Sequence, residues 1–352
     1  MKIFADFHHE HLYDSLRILF EERLGWELYR AIGLDWYHEK FWHVYPHPAT
    51  AEQYLGFHIG KDFQKMVEDD PEACHTFRNS SWTLESSSAQ DIFAISSLSF
   101  PKVVYKGITL DTFKEMDFDL IISSMPQHVQ PFKDLINLYQ PQAKHIFQIG
   151  NNWGIPNGVN ILTSAATISH PEACFYHQEF NLDLFHKKDI STVNTKSVAN
   201  MMHYIQGFDN FAALEASLPD WNFKAHGSGN RDGPRGPDVA DVAKAFEEFG
   251  FLWHYKKEGD GYGYNIHHAA ATGTPMLVNK KHFKGMTAEA LLIDGVTCID
   301  LDRHSLPAVT EILKDASENY ERWSTNTYNR FKEVVDFDKE FEEIKRFLEN
   351  LQ

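Results

Sequence analysis

Residues 260–278, DGYGYNIHHAAATGTPMLV, combine a glycine turn with the start of a small-residue helix. Gly261 and Gly263 allow the backbone to turn sharply and to approach a ligand closely, because glycine has no side chain. The helix that follows directs its first N–H groups, and the positive end of its dipole, toward an anion. The segment therefore predicts a site for an anion such as a diphosphate. The alternative is a tight strand-to-helix turn that binds nothing.

A second glycine-rich stretch, HGSGNRDGPRGPD, follows a predicted strand. Gly227, Ser228 and Gly229 form a loop rich in backbone amides, and such loops bind anions. Arg231 and Arg235 lie close behind in the sequence and carry the positive charge that a phosphate group requires. The alternative is that both arginines are solvated surface residues.

The histidine-rich segment DFHHEH lies between a probable strand and a helix. Doubly wound folds place ligand-facing residues at this point. His8 or His9 could act as a general base, because imidazole titrates near neutral pH. The spacing lacks the i, i+4 pair of a zinc-binding helix, so it does not indicate a metal. The cluster could also make only structural hydrogen bonds.

The elements around these segments alternate between strands and helices. KIFADF, HLYDSLRILFEERLG and WELYR read as strand, helix and strand, which indicates a βαβ unit and a parallel sheet. DIFAISS, FDLIISS and HIFQIGN continue the first half as strands, whereas residues 35–90 show no clear period. A second α/β half begins near residue 190, and the end of the chain reads as charged, amphipathic helix.

Composition limits the classes of function that the chain can have. The 352 residues carry a formal charge of -17. Because this charge repels polyanions, it argues against a protein that binds nucleic acids in general. Three widely spaced cysteines suggest neither a disulfide framework nor a zinc site. We see no signal peptide and no apolar run of about 20 residues that would span a bilayer. A cytoplasmic protein is therefore expected.

In order and spacing, residues 260–278 resemble the nucleotide-sugar-binding unit of GT-B glycosyltransferases. Asp260 and the glycine turn occupy the places of the acidic and glycine residues of that unit. His268 stands where the family has a glutamate that binds ribose, and Gln206 stands where many retaining members have a lysine. The resemblance implies two Rossmann-like doubly wound domains that face each other across a cleft. It implies domain limits of 1–188 on the acceptor side and 189–325 on the donor side, with a helical tail, 326–352, packed on the first domain.

The resemblance further implies a hexosyl- or pentosyltransferase that moves a sugar from a nucleotide diphosphate sugar to a saccharide or another hydroxyl-bearing acceptor, without a metal or a separate cofactor. A nucleic acid would enter only as a modified-base acceptor. His9 or His8 would be catalytic. The expected acceptor-side residues are His128, Asn151, Asn152 and Trp153. The expected donor-binding residues are Gly227, Ser228, Gly229, Arg231, Arg235, Asp260, Gly261, Tyr262, Gly263, Tyr264, Asn265 and His268.

Several alternatives stay open from the sequence. A GT-B-type sugar-nucleotide epimerase or hydrolase would share the donor site, and release of free sugar without an acceptor would identify it. A non-catalytic binder of nucleotides or glycans would keep the donor loops without turnover. His268 could be a core histidine that contacts no ribose. The sequence also leaves open whether the transfer retains or inverts the anomeric configuration.

Overall fold

The computed structural model describes two β-sheets with helices packed on their faces. The described residues are 1–5, 10–31, 80–83, 92–97, 103–150, 155–166, 168, 170, 172–227, 229–236, 238–258 and 261–351.

The first sheet has nine strands in the order β3-β4-β5-β2-β1-β6-β7-β8-β9. Strands β3, β4 and β5 pair antiparallel at one edge, and all the other neighbours are parallel. The strands are β1 (Lys2–Ala5), β2 (Glu27–Ala31), β3 (Ser80–Thr83), β4 (Ile92–Ser97), β5 (Val104–Ile108), β6 (Leu120–Ser123), β7 (Lys144–Ile149), β8 (Asn160–Thr163) and β9 (Ala173–Phe175).

Helices cover both faces of this sheet. Helix α1 (Glu10–Arg17) continues in wider π-type turns to Arg23, and α2 (Leu110–Glu115) and α3 (Val129–Tyr139) follow. Successive strand residues point to opposite faces. Accordingly, Ile3 packs in one core cluster with residues of α1, whereas Phe4 packs in another with residues of α2 and α3. The first half is thus a three-layer α/β/α unit.

The second sheet has five parallel strands in the order β11-β10-β12-β13-β14. Its core also lies on both faces. The strands are β10 (Asn194–Asn200), β11 (Asn222–Ala225), β12 (Phe249–His254), β13 (Met276–Val278) and β14 (Cys298–Asp300), and the helices are α4 (Phe208–Ser217), α5 (Val239–Glu248), α6 (Tyr264–Thr272) and α7 (Leu306–Glu318).

Each sheet has a switch point, where the strand order reverses. It lies between β1 and β6 in the first sheet and between β10 and β12 in the second. In open α/β sheets, ligands bind outside the carboxyl ends of the strands at such points. Residues 6–9 follow β1, and the segment that leads to His128 follows β6. The loops 201–207 and 255–263 follow β10 and β12.

The chain crosses between the halves twice. The buried Lys188, in the first crossing, donates from Nζ to the carbonyl oxygen of Phe249 (2.8 Å) and to Oγ1 of Thr274 (2.9 Å). Burial holds the pKa of this lysine well below its usual range. Near the end of the chain, α8 (Tyr320–Val334) packs on the second sheet, and Ile344 of α9 (Phe337–Glu349) packs in a core cluster of the first.

The predicted α/β fold is confirmed, and KIFADF, WELYR, FDLIISS and HIFQIGN overlap β1, β2, β6 and β7. The sequence analysis missed β3, β5, β8 and β9, which are short and lack a clear periodic pattern. It also did not anticipate that β4, within DIFAISS, pairs antiparallel on both sides. Of the helices in the described ranges, none is long and apolar enough to cross a membrane. The limits 1–188, 189–325 and 326–352 stay predictions.

Candidate functional site

The glycine turn and helix predicted for residues 261–272 are present. Gly263 caps the start of α6 with φ of +81°, a left-handed conformation that favours glycine. The amides of Ile266 and His267 both bond to the carbonyl oxygen of Gly263, at 3.0 and 3.2 Å. The amides of Tyr264 and Asn265 precede these bonds, in the first turn, where the N–H groups of a helix are not used by its own carbonyl groups. This end of α6 is therefore suited to an anion. Asp260 lies outside the described residues.

The first turn of α6 contacts the first half of the chain. The hydroxyl of Tyr262 donates to the main-chain oxygen of Gln178 at 3.2 Å, and the hydroxyl of Tyr264 donates to its side-chain oxygen. The Tyr264 ring also lies 5.0 Å from the ring of His11, at the start of α1. The predicted anion site of the second half therefore adjoins the segment after β9 and the segment after β1.

The paired histidines occupy different environments. His267 places Nδ1 3.0 Å from the oxygen of Gly263 and stacks on Tyr262 at 4.0 Å between ring centroids. His268 is only 2% exposed, stacks on Phe185 at 3.8 Å and meets the edge of Phe180 at 4.6 Å. Among the described residues, neither nitrogen of His268 has a hydrogen-bond partner.

Burial holds the pKa of His268 well below its usual range, and the neighbouring His11 and His267 lower it further. The ring is therefore neutral and packed among aromatic side chains. The structure gives His268 a core position, and its predicted contact with a ribose stays a prediction.

The glycine-rich loop after β11 packs tightly against the loop after β10. Gly227 has φ of +128°, and a β-carbon there would lie 2.2 Å from the main-chain oxygen of Met202. Asn230 joins the two loops, because its Oδ1 accepts from the amide of Ile205 at 2.7 Å and its Nδ2 donates to Met202 at 2.8 Å. Gly229 stands against the Tyr204 ring. Ser228 lies outside the described residues.

The two arginines of this loop form ion pairs with helix carboxylates. Arg231 lies 3.0 Å from Glu215 of α4, and Arg235 lies 3.0 Å from Glu248 of α5. The hydrogen bonds from Arg231 to Glu215 raise the pKa of its guanidinium above the usual value. Exposed ion pairs contribute only about 0 to 1 kcal/mol, so a phosphate is able to compete for either arginine. Their predicted phosphate contacts stay predictions.

Gln206 joins the two loops at the switch point of the second sheet. Its side-chain oxygen accepts from the amide of Lys257 at 2.7 Å, and its main-chain oxygen accepts from the indole N–H of Trp253 at 3.1 Å. Gly207 leaves room for the ring of Tyr255, since a β-carbon would lie 2.7 Å from it. The sequence analysis identified Gln206 only as the position where the family has a lysine. Nothing in the sequence indicated that its side chain joins the two loops.

Most of the predicted residues of the first half lie outside the described ranges. These are the catalytic candidates His8 and His9 and the acceptor-side residues Asn151, Asn152 and Trp153. His128 is described, and it is 1% exposed at the start of α3, where its ring lies 6.5 Å from Phe132. Its acceptor-side role stays a prediction. In the sequence, His8 and His9 come shortly after β1, one of the two strands at the switch point of the first sheet.

The sequence analysis did not identify Gln178, which contacts the first turn of α6 most closely from the other half. Gln178 is 3% exposed and donates from Nε2 to the hydroxyl of Ser164, after β8, at 2.5 Å. The segment YHQEF carries no periodic or motif signal that would have distinguished this glutamine. In the described ranges, no three His, Cys, Asp or Glu side chains are grouped as metal ligands, and metal-free transfer stays a prediction.

Neither protein-family models nor the sequences of curated proteins match this chain. Solved structures do match over nearly its full length. HepE from Anabaena, solved with UDP and glucose, is 10% identical, with 99% of both chains covered and a TM-score of 0.60. Sucrose-phosphate synthase from Thermosynechococcus elongatus is 9% identical, with 99% of this chain and 98% of that chain covered and a TM-score of 0.59. MurG from Acinetobacter baumannii is 9% identical, with 99% of both chains covered and a TM-score of 0.52. The chain therefore has the GT-B fold, with two Rossmann-like α/β units built on separate, mainly parallel sheets.

Proposed function

We propose that this protein is a glycosyltransferase that moves a hexosyl or pentosyl group from a nucleotide diphosphate sugar to a hydroxyl-bearing acceptor. The observation that carries the proposal is the first turn of α6. Its left-handed Gly263 and the N–H groups of its first turn, which precede the intrahelical hydrogen bonds, follow β12 at the carboxyl edge of the second sheet. The GT-B fold supports it, and HepE, which shares the fold, was solved with UDP-glucose.

In this proposal, the protein stabilises the departing diphosphate through backbone groups. The α6 amides provide fixed donors, which favour charge that develops in the transition state. The amides of Gly227 and Gly229 already donate to the main-chain oxygens of Gly233 and His203. Gln206 is neutral and supplies no cation, so Arg231 and Arg235 are the proposed source of positive charge. A departing diphosphate held in this way does not require a metal or a separate cofactor.

The proposed general base is His9 or His8, which would accept the proton of the acceptor hydroxyl. Both residues follow β1 in the chain, and the next described histidine, His11, contacts Tyr264 of α6. Proximity of these segments supports a reaction centre between the β1 edge and α6. The proposed acceptor is a saccharide or another hydroxyl-bearing molecule, with His128, Asn151, Asn152 and Trp153 on its side, and the proposed location is the cytoplasm.

The first test is a thermal-shift panel of UDP, GDP, ADP and dTDP in the presence of EDTA. A ligand that binds only the folded protein stabilises it by about 2.7 kcal/mol at 100 times its Kd. We expect one nucleoside diphosphate to raise the melting temperature without added metal.

Stabilisation by none of the four nucleotides would contradict the proposed function. Stabilisation that requires Mg²⁺ or Mn²⁺ would contradict only its metal-free form. The nucleotide that binds is then supplied as its glucose conjugate without acceptor, and rapid, complete release of free sugar would identify a hydrolase instead of a transferase.

A further inference from the structure

A buried chain of hydrogen bonds crosses from the first half to the second through Gln178. Its side-chain amide donates to the Ser164 hydroxyl at 2.5 Å, and its side-chain oxygen accepts from the Tyr264 hydroxyl. Its main-chain oxygen accepts from the Tyr262 hydroxyl at 3.2 Å. One residue therefore holds both residues that flank Gly263, the cap of α6.

The first sheet leaves space for this side chain. A β-carbon at Gly150, directly after β7, would lie 2.9 Å from Nε2 of Gln178 and 3.3 Å from Oγ of Ser164. The amide of Ser164 donates to the main-chain oxygen of Ile149 at 2.9 Å, so the ends of β7 and β8 are joined below the glutamine. Gln178 thus rests on two adjacent strand ends of the first sheet.

The two side-chain contacts use one donor end and one acceptor end of a neutral group. The Gln178 amide supplies both ends in one plane. An apolar side chain of similar length would leave the hydroxyls of Ser164 and Tyr264 buried without these bonds.

We propose that Gln178 is a positioning residue that fixes the first turn of α6 relative to the carboxyl edge of the first sheet. This inference rests on the proposed function, because α6 is the proposed diphosphate site and the β1 edge carries the proposed base. Reacting groups on separate halves must be held within about 1 Å of their productive geometry, and Gln178 sets that spacing. The α6 amides that bind the nucleotide belong to the second half alone, so nucleotide affinity depends less on this contact.

The test compares wild type with Gln178→Met and a matched control, Gln140→Met. Gln140 is also buried and bonds to three main-chain groups, but it lies at the opposite, amino-terminal edge of the first sheet. Gln140→Met should therefore reduce the stability of the protein without changing its turnover. We expect Gln178→Met to lower release of nucleoside diphosphate from the nucleotide sugar by roughly 10- to 100-fold, with Kd for the nucleotide changed by less than about 3-fold. Hydrogen exchange of the segment 262–268 should rise in Gln178→Met and not in Gln140→Met.

A second variant, Gln178→Glu, distinguishes positioning from simple packing. A protonated glutamate has one donor and one acceptor end, like glutamine, whereas an ionised one is a buried charge. We therefore expect the variant's turnover, relative to wild type, to recover as the pH falls through the raised pKa of the new carboxyl group. The other titratable groups nearby are the same in wild type and in Gln178→Glu. Burial keeps the Tyr262 and Tyr264 hydroxyls neutral by raising their pKa, and the adjacent His177 is paired with Glu340.

Failure of wild type to bind any nucleotide in the panel would contradict the proposed function. If wild type binds and Gln178→Met matches it in turnover and in hydrogen exchange, the positioning role is overturned while the proposed function stands. Equal turnover losses in Gln178→Met and Gln140→Met, or no recovery of Gln178→Glu at low pH, would also overturn it. If wild type binds but releases too little product to measure, the exchange comparison decides.

Discussion

Replacing Gly227 with alanine is expected to lower the free energy of unfolding by about 2 to 6 kcal/mol, the sum of backbone strain and overpacking. Gly227 has φ of +128°, outside the range that alanine readily adopts, and the new β-carbon would lie 2.2 Å from the main-chain oxygen of Met202 and 2.7 Å from that of His203. Relief of these collisions must separate the loops after β10 and β11. Nucleotide binding should therefore be lost along with stability. Urea unfolding and titration with the nucleotide measure the two effects.

Gly233 provides the matched control in the same loop. It also has a positive φ, +66°, but nothing lies within 4 Å of the β-carbon that alanine would add. Gly233→Ala should cost only the left-handed strain, about 1 to 2 kcal/mol, and should keep nucleotide binding. Equal effects of the two substitutions would show that the close approach of the loops at Gly227 has no special role.

Replacing His268 with glutamate is expected to destabilise the protein by on the order of 3 kcal/mol or more at neutral pH, because the new carboxylate would be buried without a partner. The His268 site is 2% exposed and lined by aromatic rings, including Phe180 and Phe185. The pKa of the buried glutamate would rise above its unfolded value of about 4.3, so the cost of ionisation should be absent below that pH, grow as the pH rises above it, and reach its full value above the folded-state pKa. Urea unfolding across this pH range measures it.

His268→Leu is the control for this site. It replaces an unbonded polar ring with an apolar side chain, and it should change stability by less than about 1.5 kcal/mol if packing is the main role of the histidine. The predicted ribose contact gives the opposite ranking. In that case His268→Glu would keep nucleotide affinity and discrimination against 2'-deoxyribose, and His268→Leu would lose both.

The α6 unit was predictable from the sequence because its signals are local. Glycines at the turn, small residues in the helix and an apolar strand after it act over a few neighbouring residues, and the turn at Gly263 and the helix 264–272 follow them closely. The alternation of strands and helices likewise predicted two α/β halves, since βαβ units with parallel pairing leave few topologies. The GT-B fold itself was implied by the resemblance of residues 260–278.

The contacts between distant segments were not predictable in the same way. Gln178 bonds to Ser164 and to Tyr262, which are distant from it and from each other in the chain, and no pattern in these segments predicts the contacts. The burial of His268 depends on Phe185, which lies 83 positions earlier in the chain. His267 and His268 are adjacent and equally polar, so the sequence did not indicate which of the two rings would lack a hydrogen bond.

The measurement that tests the location of the donor site most directly is hydrogen exchange with and without the nucleoside diphosphate that binds in the panel. Amides that bind phosphate should exchange more slowly in the complex. We predict protection concentrated at residues 263–266, in the turn and first residues of α6 at the carboxyl edge of the second sheet. The alternative location is a cavity of about 720 Å³ at the amino-terminal edge of the first sheet, lined by residues that include Trp26, Asp119 and Tyr139. Protection of residues 117–120 and 139–144 around that cavity, with none at 263–266, would contradict the proposed donor site.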